Sequence, residues 1–561
     1  MSLIKGLFKY LFILLGLLAL GVAILAAVMF FVPSVSIFGY RFKSSHAEHT
    51  ISLAETTDIN KVTIKTSAYN INVKPNTNSI SPNTFYITIK NNYTGYANSK
   101  NDEVLINGQK ISEINKFTND SILENKVDAE GNVVMNGDQP VKIAGSYMID
   151  LTELSGIISL GGSNVTIYVP QTSHYIDYTL ETRSGKISFS KVAGSDSKVK
   201  TNNLNISTTS ARGTFSLDNV EMVSTATLEI KNFLGRIQIN SDIGGSVKIS
   251  SKTGSFMFNN IGTEGVSSIE GETVESGTKQ VMLLITGDNP YVSFKKLNGS
   301  LKLTSPSGIV EGEIVNGDII SNSTNARIEV AKLLGGCNIQ TKQGNVIINQ
   351  VGESIAELRP INITTTTGEV KLGQEKKIVR DEETITYGYV YGKVSTIVTT
   401  SGKVTLDNVL NHIDNISTDN GYVNVTFAKN STVKNANIST KSGAININNI
   451  YGNVVAKTEN SAPINASYYQ IGGSSDFTTD EGNIKLTIFA PSDESSKQYR
   501  LSMKSKSNKF DCQIGNYTLT KLGEETKVDG YYTTQNNFPT DATPTFTLNL
   551  KTNAGKIIVG Y

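Results

Sequence analysis

Histidine, a common residue in acid–base catalysis and metal binding, is rare in this sequence. The chain has four histidines: His46, His49, His174 and His412. His46 and His49 stand three positions apart, but the surrounding sequence lacks the other ligands that a closed metal site needs. A solvated segment is therefore the preferred interpretation of this pair. His174 and His412 have no nucleophile pattern near them, so we expect neither a metal site nor a cofactor.

The carboxylates are scattered along the chain. A polysaccharide lyase or hydrolase would need paired carboxylates about 5–10 Å apart. The candidate acids are Asp218, Asp407, Asp419, Asp480 and Glu481. Asp218 and Asp407 occupy the same place in Leu-Asp-Asn-Val and are predicted to be turn residues. We therefore predict a protein that is not an enzyme, with a β-helix polysaccharide lyase or hydrolase as the less favoured alternative.

One acidic triplet lies in a mixed-charge segment. Residues 381–383 are all acidic, and they follow Lys376, Lys377 and Arg380. Such a mixture is typical of a solvated charged loop rather than of a cation site.

Alternating tyrosines form the main candidate binding feature. One stretch places Tyr387, Tyr389 and Tyr391 at every second position, with glycine and valine between them. Exposed tyrosines offer a flat apolar ring with a polar tip, which suits a glycan or a protein partner. Tyr531 and Tyr532 are similar candidates in a late insertion. The alternative, an edge strand or a loop folded onto its own coil, stays open.

The composition excludes several classes of protein. The 561 residues carry a formal net charge of +1, and 18% are charged, against about 25% in ordinary domains. A nucleic-acid partner would require a basic stripe, so none is expected. Two cysteines exclude a disulfide-dense fold. The 48 glycines and the abundant strand-forming residues indicate a β-rich chain with many turns.

An uncharged apolar run extends from Leu11 to Val32. As a helix it would be long enough to cross about 30 Å of hydrocarbon. Lys5 and Lys9 precede the run, and Pro33 closes it. A cleaved signal peptide has a shorter apolar stretch of about 7–15 residues. We therefore predict an uncleaved transmembrane anchor, with a cleaved signal peptide or, less favoured, a buried helix as the alternatives.

The orientation of this anchor follows from what comes after it. Long C-terminal domains cross the membrane largely regardless of flanking charge. We predict a single-pass cell-membrane protein with its N-terminus inside and residues from about 45 onward outside the cell.

A glycine-centred frame recurs through the rest of the chain. Around Gly443, apolar Ile438 lies five positions before the glycine and Thr440 three before it, while Ile445 and Ile447 follow two and four after it. The clearest copies centre on Gly185, Gly254, Gly344, Gly402 and Gly443. Where the array is regular, successive centres are about 18–24 residues apart, a spacing typical of solenoid repeats.

This frame predicts an all-β fold, a parallel β-solenoid. Alternation on both sides of the glycine indicates two strands with inward side chains at every second residue. The glycine marks the corner, where a positive φ or a close backbone approach is tolerated. One such unit cannot bury its own apolar face, but stacked units can. The recurrent threonine would then form a ladder. An array of β-sandwich domains is the alternative.

Stacking also constrains the cysteines. Cys337 and Cys512 are separated by several coils of about 4.8 Å each, well beyond the roughly 7 Å limit for a disulfide. We expect two reduced thiols.

The predicted organisation has six segments, and loops inserted into the coils are expected to carry any binding function. The segments are a cytoplasmic N-terminus at 1–10, the transmembrane anchor at 11–32, a juxtamembrane stalk at 33–50, an irregular β region with an insertion at 51–160, β-solenoid repeats at 161–520, and an insertion with a terminal coil at 521–561.

Two stretches combine a strand ending in proline with this frame. Residues 164–170, Asn-Val-Thr-Ile-Tyr-Val-Pro, lead into the copy around Gly185, and residues 483–491 end at Pro491 in the same way. In these features the chain resembles the bacterial cell-envelope β-strand-repeat proteins known as putative adhesins or toast-rack domains. The resemblance covers roughly residues 160–490.

The resemblance implies a membrane-tethered, extracytoplasmic β-solenoid without known catalytic residues. It suggests an adhesin or surface-display protein whose partner is a glycan or a protein on another surface. The alternative is an extracytoplasmic scaffold in cell-envelope stress signalling, whose partners would be membrane signalling proteins.

Overall fold

The computed structural model shows a chain built mainly of β-strands. It describes residues 2–31, 40–53, 59–77, 83–98, 105–106, 109–110, 117–152, 162–170, 174–208, 214–231, 235–262, 281–355, 359–380, 382–429, 434–488, 499–507, 509–513, 518–522, 525–532 and 546–560.

The strands before residue 240 are β1 (Tyr40–Leu53), β2 (Lys61–Thr66), β3 (Asn70–Pro75), β4 (Phe85–Asn98), β5 (Leu105–Ile106), β6 (Gln109–Lys110), β7 (Leu123–Asn125), β8 (Met135–Asn136), β9 (Gln139–Pro140), β10 (Lys142–Leu151), β11 (Asn164–Val169), β12 (Ile176–Thr182), β13 (Lys186–Phe189), β14 (Val199–Thr208), β15 (Thr214–Leu217), β16 (Val220–Met222), β17 (Thr227–Lys231) and β18 (Arg236–Ile239).

The later strands are β19 (Ser246–Ser250), β20 (Thr253–Ile261), β21 (Met282–Thr286), β22 (Asn289–Leu297), β23 (Ser300–Thr304), β24 (Ile309–Val315), β25 (Ile319–Asn322), β26 (Arg327–Leu333), β27 (Cys337–Gln340), β28 (Val346–Val351), β29 (Pro360–Thr365), β30 (Val370–Leu372), β31 (Lys376–Arg380), β32 (Glu383–Tyr387), β33 (Lys393–Thr399), β34 (Val404–Val409), β35 (Ile413–Thr418), β36 (Val423–Phe427), β37 (Lys434–Thr440), β38 (Ile445–Ile450), β39 (Gly452–Thr458), β40 (Ile464–Tyr468), β41 (Ser475–Thr479), β42 (Ile484–Ile488), β43 (Tyr499–Ser505), β44 (Phe510–Cys512), β45 (Thr518–Leu522), β46 (Glu525–Tyr532), β47 (Phe546–Thr552) and β48 (Ile557–Gly560).

Two helices accompany the strands in the described part of the chain. Helix α1 (Ser2–Phe31) contains most of the apolar run, and α2 (Asn119–Ile122) is a single turn whose N-cap is Thr118. Within α1, side chains are described for residue 10, residues 13–25 and residues 27–28. Among the described residues, no helix is both long enough and apolar enough to span a membrane.

The chain divides into two compact units. Unit 1 comprises residues 1–226 and 231–241, and unit 2 comprises residues 227–230 and 242–561.

In unit 1, strands pair into two sheets. Sheet 1A runs in the order β1, β4, β11, β3, β13, β15 and β18. Sheet 1B runs in the order β7, β10, β2, β12, β14 and β16. From β11 and β10 onward the pairings are parallel.

In unit 2, the coils alternate between two parallel sheets. Sheet 2A runs in the order β20, β22, β24, β26, β28, β30, β34, β36, β38, β40 and β42. Sheet 2B runs in the order β19, β21, β23, β25, β27, β29, β33, β35, β37, β39 and β41.

The core of each unit lies between its two sheets. The strands alternate buried and more exposed residues, so one face of each sheet points inward. In unit 1, Tyr178 and Phe189 meet edge to face from opposite sheets, with ring centroids 5.7 Å apart. Tyr468 and Phe477 do the same in unit 2 at 6.4 Å. The predicted parallel coils are therefore confirmed within each unit.

The coil length also matches the prediction. The side chains of Asn298 and Asn316, 18 residues apart, are hydrogen-bonded between neighbouring coils. The Glu369 amide and the Asn345 side chain are bonded across an interval of 24 residues. The range of 18–24 residues therefore holds where the array has no insertion.

The terminal coils of both units depart from sequence order. In unit 1, β2 lies between β10 and β12, and β3 lies between β11 and β13. In unit 2, β47 lies between β41 and β43, and β48 lies between β42 and β44. The first coil of unit 1 and the last coil of unit 2 are thus inserted between coils that are distant from them in sequence.

Antiparallel strands pair with the coils that lie just beyond the inserted ones. β4 pairs antiparallel with β11 and with β1 in unit 1, while β46 pairs antiparallel with β43 and with β45 in unit 2. Covering the last parallel strand in this way occupies backbone groups that would otherwise template pairing with another chain.

Candidate functional site

The repeat glycines stand where neighbouring coils approach most closely. A Cβ built on Gly443 would lie 1.8 Å from the carbonyl oxygen of Gly421, and one on Gly402 would lie 2.0 Å from that of Gly368. Gly344 approaches the carbonyl of Ala326 in the same way. These contacts are with backbone atoms, which cannot move aside. The reason for glycine here is therefore close stacking.

The other two repeat glycines lie in comparable places. A Cβ on Gly185 would lie 1.9 Å from the carbonyl oxygen of Tyr69, in the inserted first coil. Gly254 differs, because it lies within β20 and has a φ of 139°, a conformation that favours glycine.

The recurrent threonine closes the corner. Thr365, Thr399, Thr418, Thr440 and Thr458 pair in register from strand to strand of sheet 2B, and all are buried. The Thr418 hydroxyl accepts a hydrogen bond from the Gly421 amide at 2.6 Å and donates to the Gly421 carbonyl at 3.3 Å. The predicted threonine ladder is thus present, and it fixes the turn that carries the glycine.

The insertion after β30 folds onto sheet 2A as a hairpin. β31 and β32 pair antiparallel, and their side chains reach strands β24 and β26. The Arg380 guanidinium donates to the Glu313 carboxylate, and the Tyr387 hydroxyl donates to the same group at 3.2 Å. Lys376 donates to Glu329 at 3.2 Å. The insertion is therefore attached to the coils at two carboxylates.

Electrostatics favours this attachment. Burial opposes ionisation of Glu329, but hydrogen bonds and charges from Arg327 and Lys376 outweigh it and hold the pKa of Glu329 below its usual value. Burial, followed by the nearby Glu313 charge, raises the pKa of Tyr387. Glu329 stays ionised and Tyr387 stays protonated at neutral pH, which is the state that both contacts require.

The structure separates the three alternating tyrosines. Tyr387 is buried at the base of the hairpin, whereas Tyr389 is 44% exposed. Tyr391 is half-buried, and its ring centroid lies 5.8 Å from that of Tyr389. Between them, Val390 forms bridges to Val351 and Val409. The stretch thus folds onto its own coil in part, and Tyr389 is the member that faces solvent.

The later tyrosine pair is described only in its backbone. Tyr531 and Tyr532 lie in β46, opposite Arg500 and Tyr499, and their side chains are outside the described part, as is most of the insertion around them. The Asp381 position of the acidic triplet also falls outside it.

The remaining titratable groups are dispersed. Across the described ranges, no three histidines, cysteines or acids are grouped so that they could hold a metal ion. The His49 Nε2 atom lies 3.0 Å from the Phe117 carbonyl oxygen, and His412 Nδ1 accepts a hydrogen bond from the Asn435 amide at 2.9 Å. His174 is exposed, and the side chain of His46 is not described.

Both cysteines are free thiols. Cys337 is buried in sheet 2B, and burial raises the pKa of its thiol to about 12. Such a thiol is protonated and unreactive near neutral pH, so it packs as a small apolar residue.

Two features of unit 2 have only a weak signal in the sequence. Lys434 is 3% exposed, and its Nζ atom donates to the Val409 carbonyl at 3.0 Å. The sequence signal for Lys434 is the alternation of inward and outward residues along the strand, since Lys434 lies two residues before the inward Ala436. Tyr422 is 59% exposed. It lies one residue before the inward Val423, so parity places it on the outer face.

Comparison with known proteins supports the repeat assignment. Residues 390–536 match the Toastrack DUF4097 family model. No curated protein and no solved structure matches the chain. The matched region includes the corners at Gly402, Gly421 and Gly443 and overlaps the region of the sequence resemblance. Residues 390–536 are therefore similar to the Toastrack β-repeat family, consistent with the resemblance of the sequence motifs to toast-rack domains.

Proposed function

We propose that this protein is a membrane-anchored, extracytoplasmic β-repeat protein that presents a rigid binding surface, in the manner of an adhesin, without catalysing a reaction. The observation that carries the proposal is the hairpin β31–β32. It is held on sheet 2A by Glu313 and Glu329, and the chain leaving it carries the exposed Tyr389. An aromatic contact fixed to a repetitive scaffold suits recognition because little conformational entropy is lost on binding.

The scaffold is suited to this role by its bonding. Each inner strand of the sheet 2A and sheet 2B series is hydrogen-bonded in parallel to a strand on either side, as β36 is to β34 and β38. The inward side chains are aliphatic and fully buried, such as Val423, Val425 and Ile445. Repeats joined in this way support an extended surface built from like positions on successive coils.

The membrane anchor is proposed from the N-terminal sequence. The run from Leu11 to Val32 is uncharged, and apolar side chains of α1 such as Leu14 and Leu18 are exposed. Burial of these side chains in lipid would remove apolar surface from water. The units that follow would then lie outside the cell, since long C-terminal domains are translocated largely regardless of flanking charge.

Cross-linking mass spectrometry on intact cells, with the natural partner surface present, tests the proposal. Lys377, whose side chain is 61% exposed on the hairpin, is the reporter amine. We expect cross-links from Lys377 to molecules of another surface. The Lys377→Arg variant keeps the charge but removes the reactive amine, so the same cross-links should disappear.

Two results would overturn the proposal in different ways. Cross-links mainly to signalling proteins of the same membrane would replace the adhesin with a scaffold for envelope stress signalling. Labelling of Lys377 by a membrane-impermeant reagent only after lysis would contradict the extracytoplasmic location.

A further inference from the structure

Three neighbouring strands of sheet 2A present a nine-residue outer face. On β36, β38 and β40 the outward positions fall into rows. The register is regular as far as Ile447 and shifts beyond it between β38 and β40, where a side-chain hydrogen bond joins Ser467 to Asn448. The first row also includes residues that immediately precede the strands, whose carbonyls join the same ladder. The outer face consists of Tyr422, Asn424, Thr426, Ala444, Asn446, Asn448, Pro463, Asn465 and Ser467.

One row of this outer face is apolar. Tyr422, Ala444 and Pro463 occupy corresponding places on three successive coils, because the Val423 amide donates to the Ala444 carbonyl and the Ile445 amide donates to the Pro463 carbonyl. Tyr422 is 59% exposed. The small Ala444 lies beside it in the row, and the exposed ring can act as a platform for a flat apolar surface.

The adjacent row is a chain of amides. The Asn446 side chain donates to Asn424 at 2.7 Å, and the Asn465 side chain donates to Asn446 at 2.8 Å. Each asparagine amide has two donor hydrogens and two acceptor lone pairs. Asn446 therefore uses one of each within the chain and has one of each left over. The Asn446 amide is thus held by a hydrogen bond on each side.

The third row extends the polar part of the outer face. Ser467 donates to Asn448 at 3.1 Å, and Thr426 lies opposite Asn448 in the strand register. No Asp, Glu, Lys or Arg occurs among the nine residues. Lys403, just before β34, and Lys485, on β42, occupy corresponding places on the strands at either side. These two lysines border the outer face but are not part of it.

The combination fits the chemistry of a neutral sugar chain. A pyranose ring has an apolar face of C–H groups, which packs on an aromatic ring, and hydroxyl groups at its edge, which both donate and accept hydrogen bonds. An amide can satisfy both functions of a hydroxyl at once. Acidic sugars or acidic peptides would find no cation among the nine residues with which to pair.

The regular spacing of the coils favours a polymeric ligand. Equivalent side chains recur at the strand spacing of about 4.8 Å, so a chain lying across the strands would meet amides at successive coils. Strand addition by a peptide is excluded at this place, because β36, β38 and β40 each have a partner strand on both sides. No backbone edge is open there.

We infer that the outer face of β36, β38 and β40 binds a neutral polysaccharide, with Tyr422 as the ring platform and Asn446 as the central amide. This inference deepens the proposed function, because it names the class of ligand that the displayed surface would recognise.

Affinity electrophoresis of the full-length protein in detergent tests the inference. Separate gels contain dextran, galactomannan, hydroxyethyl cellulose or, as the acidic polymer, polygalacturonate. We expect at least one neutral polymer to retard the protein and polygalacturonate to have no effect. Tyr422→Ser and Asn446→Ala should each weaken the retardation about tenfold in apparent affinity, whereas Tyr422→Phe, which keeps the ring, should preserve most of it.

A matched control lies on sheet 2B. The Asn453 side chain donates to Asn435 at 2.7 Å and accepts from the Ser474 backbone amide at 2.8 Å. Asn453→Ala therefore removes two side-chain hydrogen bonds, as Asn446→Ala does, but away from the outer face. It should bind like the unaltered protein. Denaturation midpoints of all variants show whether each is folded, and Tyr422→Ser, at an exposed side chain, carries the test if Asn446→Ala is destabilised.

The inference is overturned if none of the three neutral polymers retards the protein, if polygalacturonate does so equally, or if Asn453→Ala weakens binding as much as Tyr422→Ser. Its failure is separable from that of the proposed function. Cross-links to another surface that persist in Tyr422→Ser would keep the adhesin and reject this face. If a neutral polymer retards the protein but Lys377 is not labelled on intact cells, the outer face binds polysaccharide as inferred, and the extracytoplasmic location is wrong.

Discussion

At the scale of single residues, the repeat depends on how little room the corner leaves. Gly443 and Gly421 are stacked so closely that one carbonyl oxygen occupies the place of a side chain on the next coil. Thr418 and Thr440 then hold the turns through their hydroxyls. The same corner recurs at Gly402, where the Thr399 hydroxyl donates to the glycine carbonyl at 2.8 Å.

Gly443→Ala should destabilise unit 2, because the added methyl would lie 1.8 Å from the Gly421 carbonyl oxygen. We expect a loss of about 1–3 kcal/mol in the free energy of unfolding, the usual range for overpacking, measured by urea denaturation. Gly560→Ala is the control, since its nearest neighbour would be the flexible Gln513 side chain at 3.3 Å. Equal losses in both variants would contradict the close-stacking explanation.

Lys434 should make the stability of unit 2 depend on pH. Burial lowers the pKa of Lys434 to about 8 from 10.5. Below pH 8 the amine is charged in both states, and the buried charge reduces the free energy of unfolding. Between pH 8 and 10.5 only the unfolded chain holds the proton, so stability rises with pH. The full difference is about 3 kcal/mol.

Urea denaturation from pH 7 to 10.5 measures this effect. In Lys434→Met the increase should be absent and stability at pH 7 should be higher. The Val409 carbonyl keeps its bond from the Ala428 amide, so it is not left unpaired in the variant. Parallel pH curves for the two proteins would show that Lys434 is not the group responsible.

At the scale of elements, the hairpin β31–β32 is an insertion that folds onto sheet 2A. It has few backbone bonds to the coils, and its position depends on side-chain contacts at Glu313 and Glu329. The Asn349 side chain also donates to the Gln374 carbonyl at 3.0 Å, at the base of the insertion. Such an element should open separately from the coils.

Glu313→Gln should loosen this hairpin, because one carboxylate receives both Arg380 and Tyr387. We expect amide hydrogen exchange in residues 376–387 to become about tenfold faster, the result of losing roughly one charge-assisted bond. Exchange in β36 and β38 should not change.

Glu375→Gln provides the matched control for the hairpin. The ion pair of Glu375 with Lys377 is largely solvent-exposed on both sides, and such pairs contribute little. If Glu375→Gln accelerates exchange as much as Glu313→Gln does, the attachment to Glu313 is not what holds the hairpin.

At the scale of the molecule, each unit has a terminal coil that is inserted between two others. In unit 2, β47 and β48 separate β41 and β42 from β43 and β44. The coil β43–β44 is thus joined to the preceding coils through the chain's last strands. These pairings link residues far apart in sequence, so they should form late in folding.

Deleting residues 546–561, which contain β47 and β48, should therefore also destabilise the coil β43–β44. β43 would lose its parallel partner, and we expect limited proteolysis to cut within residues 499–532 while the coils from β33 to β42 remain protected. A longer deletion, of residues 489–561, removes the orphaned coil as well and should restore a protease-resistant core. Equal resistance of residues 499–532 in the shorter variant and the full chain would contradict this dependence.

Much of the architecture could be predicted from local pattern. Residues of one parity, such as Ile438, Ile445 and Ile447, face inward because the pleat alternates side chains across a strand, and no distant contact is needed to decide this. The Gly443 corner and the Thr440 bond follow equally locally. That is why the coils, their length and the threonine ladder agree with expectation.

The candidate site was only partly predictable, because alternation cannot tell which neighbour covers a side chain. Tyr387, Tyr389 and Tyr391 share one pattern, yet Tyr387 is buried and donates to Glu313 of a distant coil, whereas Tyr389 is exposed. Tyr422 carries no motif, and only its place beside the inward Val423 indicates that it faces outward.

The sequence by itself determined the parallel coils, the glycine corners and the inward apolar positions of this protein, since each depends on spacing within one or two strands. Tertiary structure alone decided the insertion of the terminal coils, the folding of the hairpin onto Glu313 and Glu329, and the grouping of Tyr422 with the amides of Asn424 and Asn446. These arrangements depend on which of many similar strands pair, and that choice is made by long-range hydrogen bonding and burial.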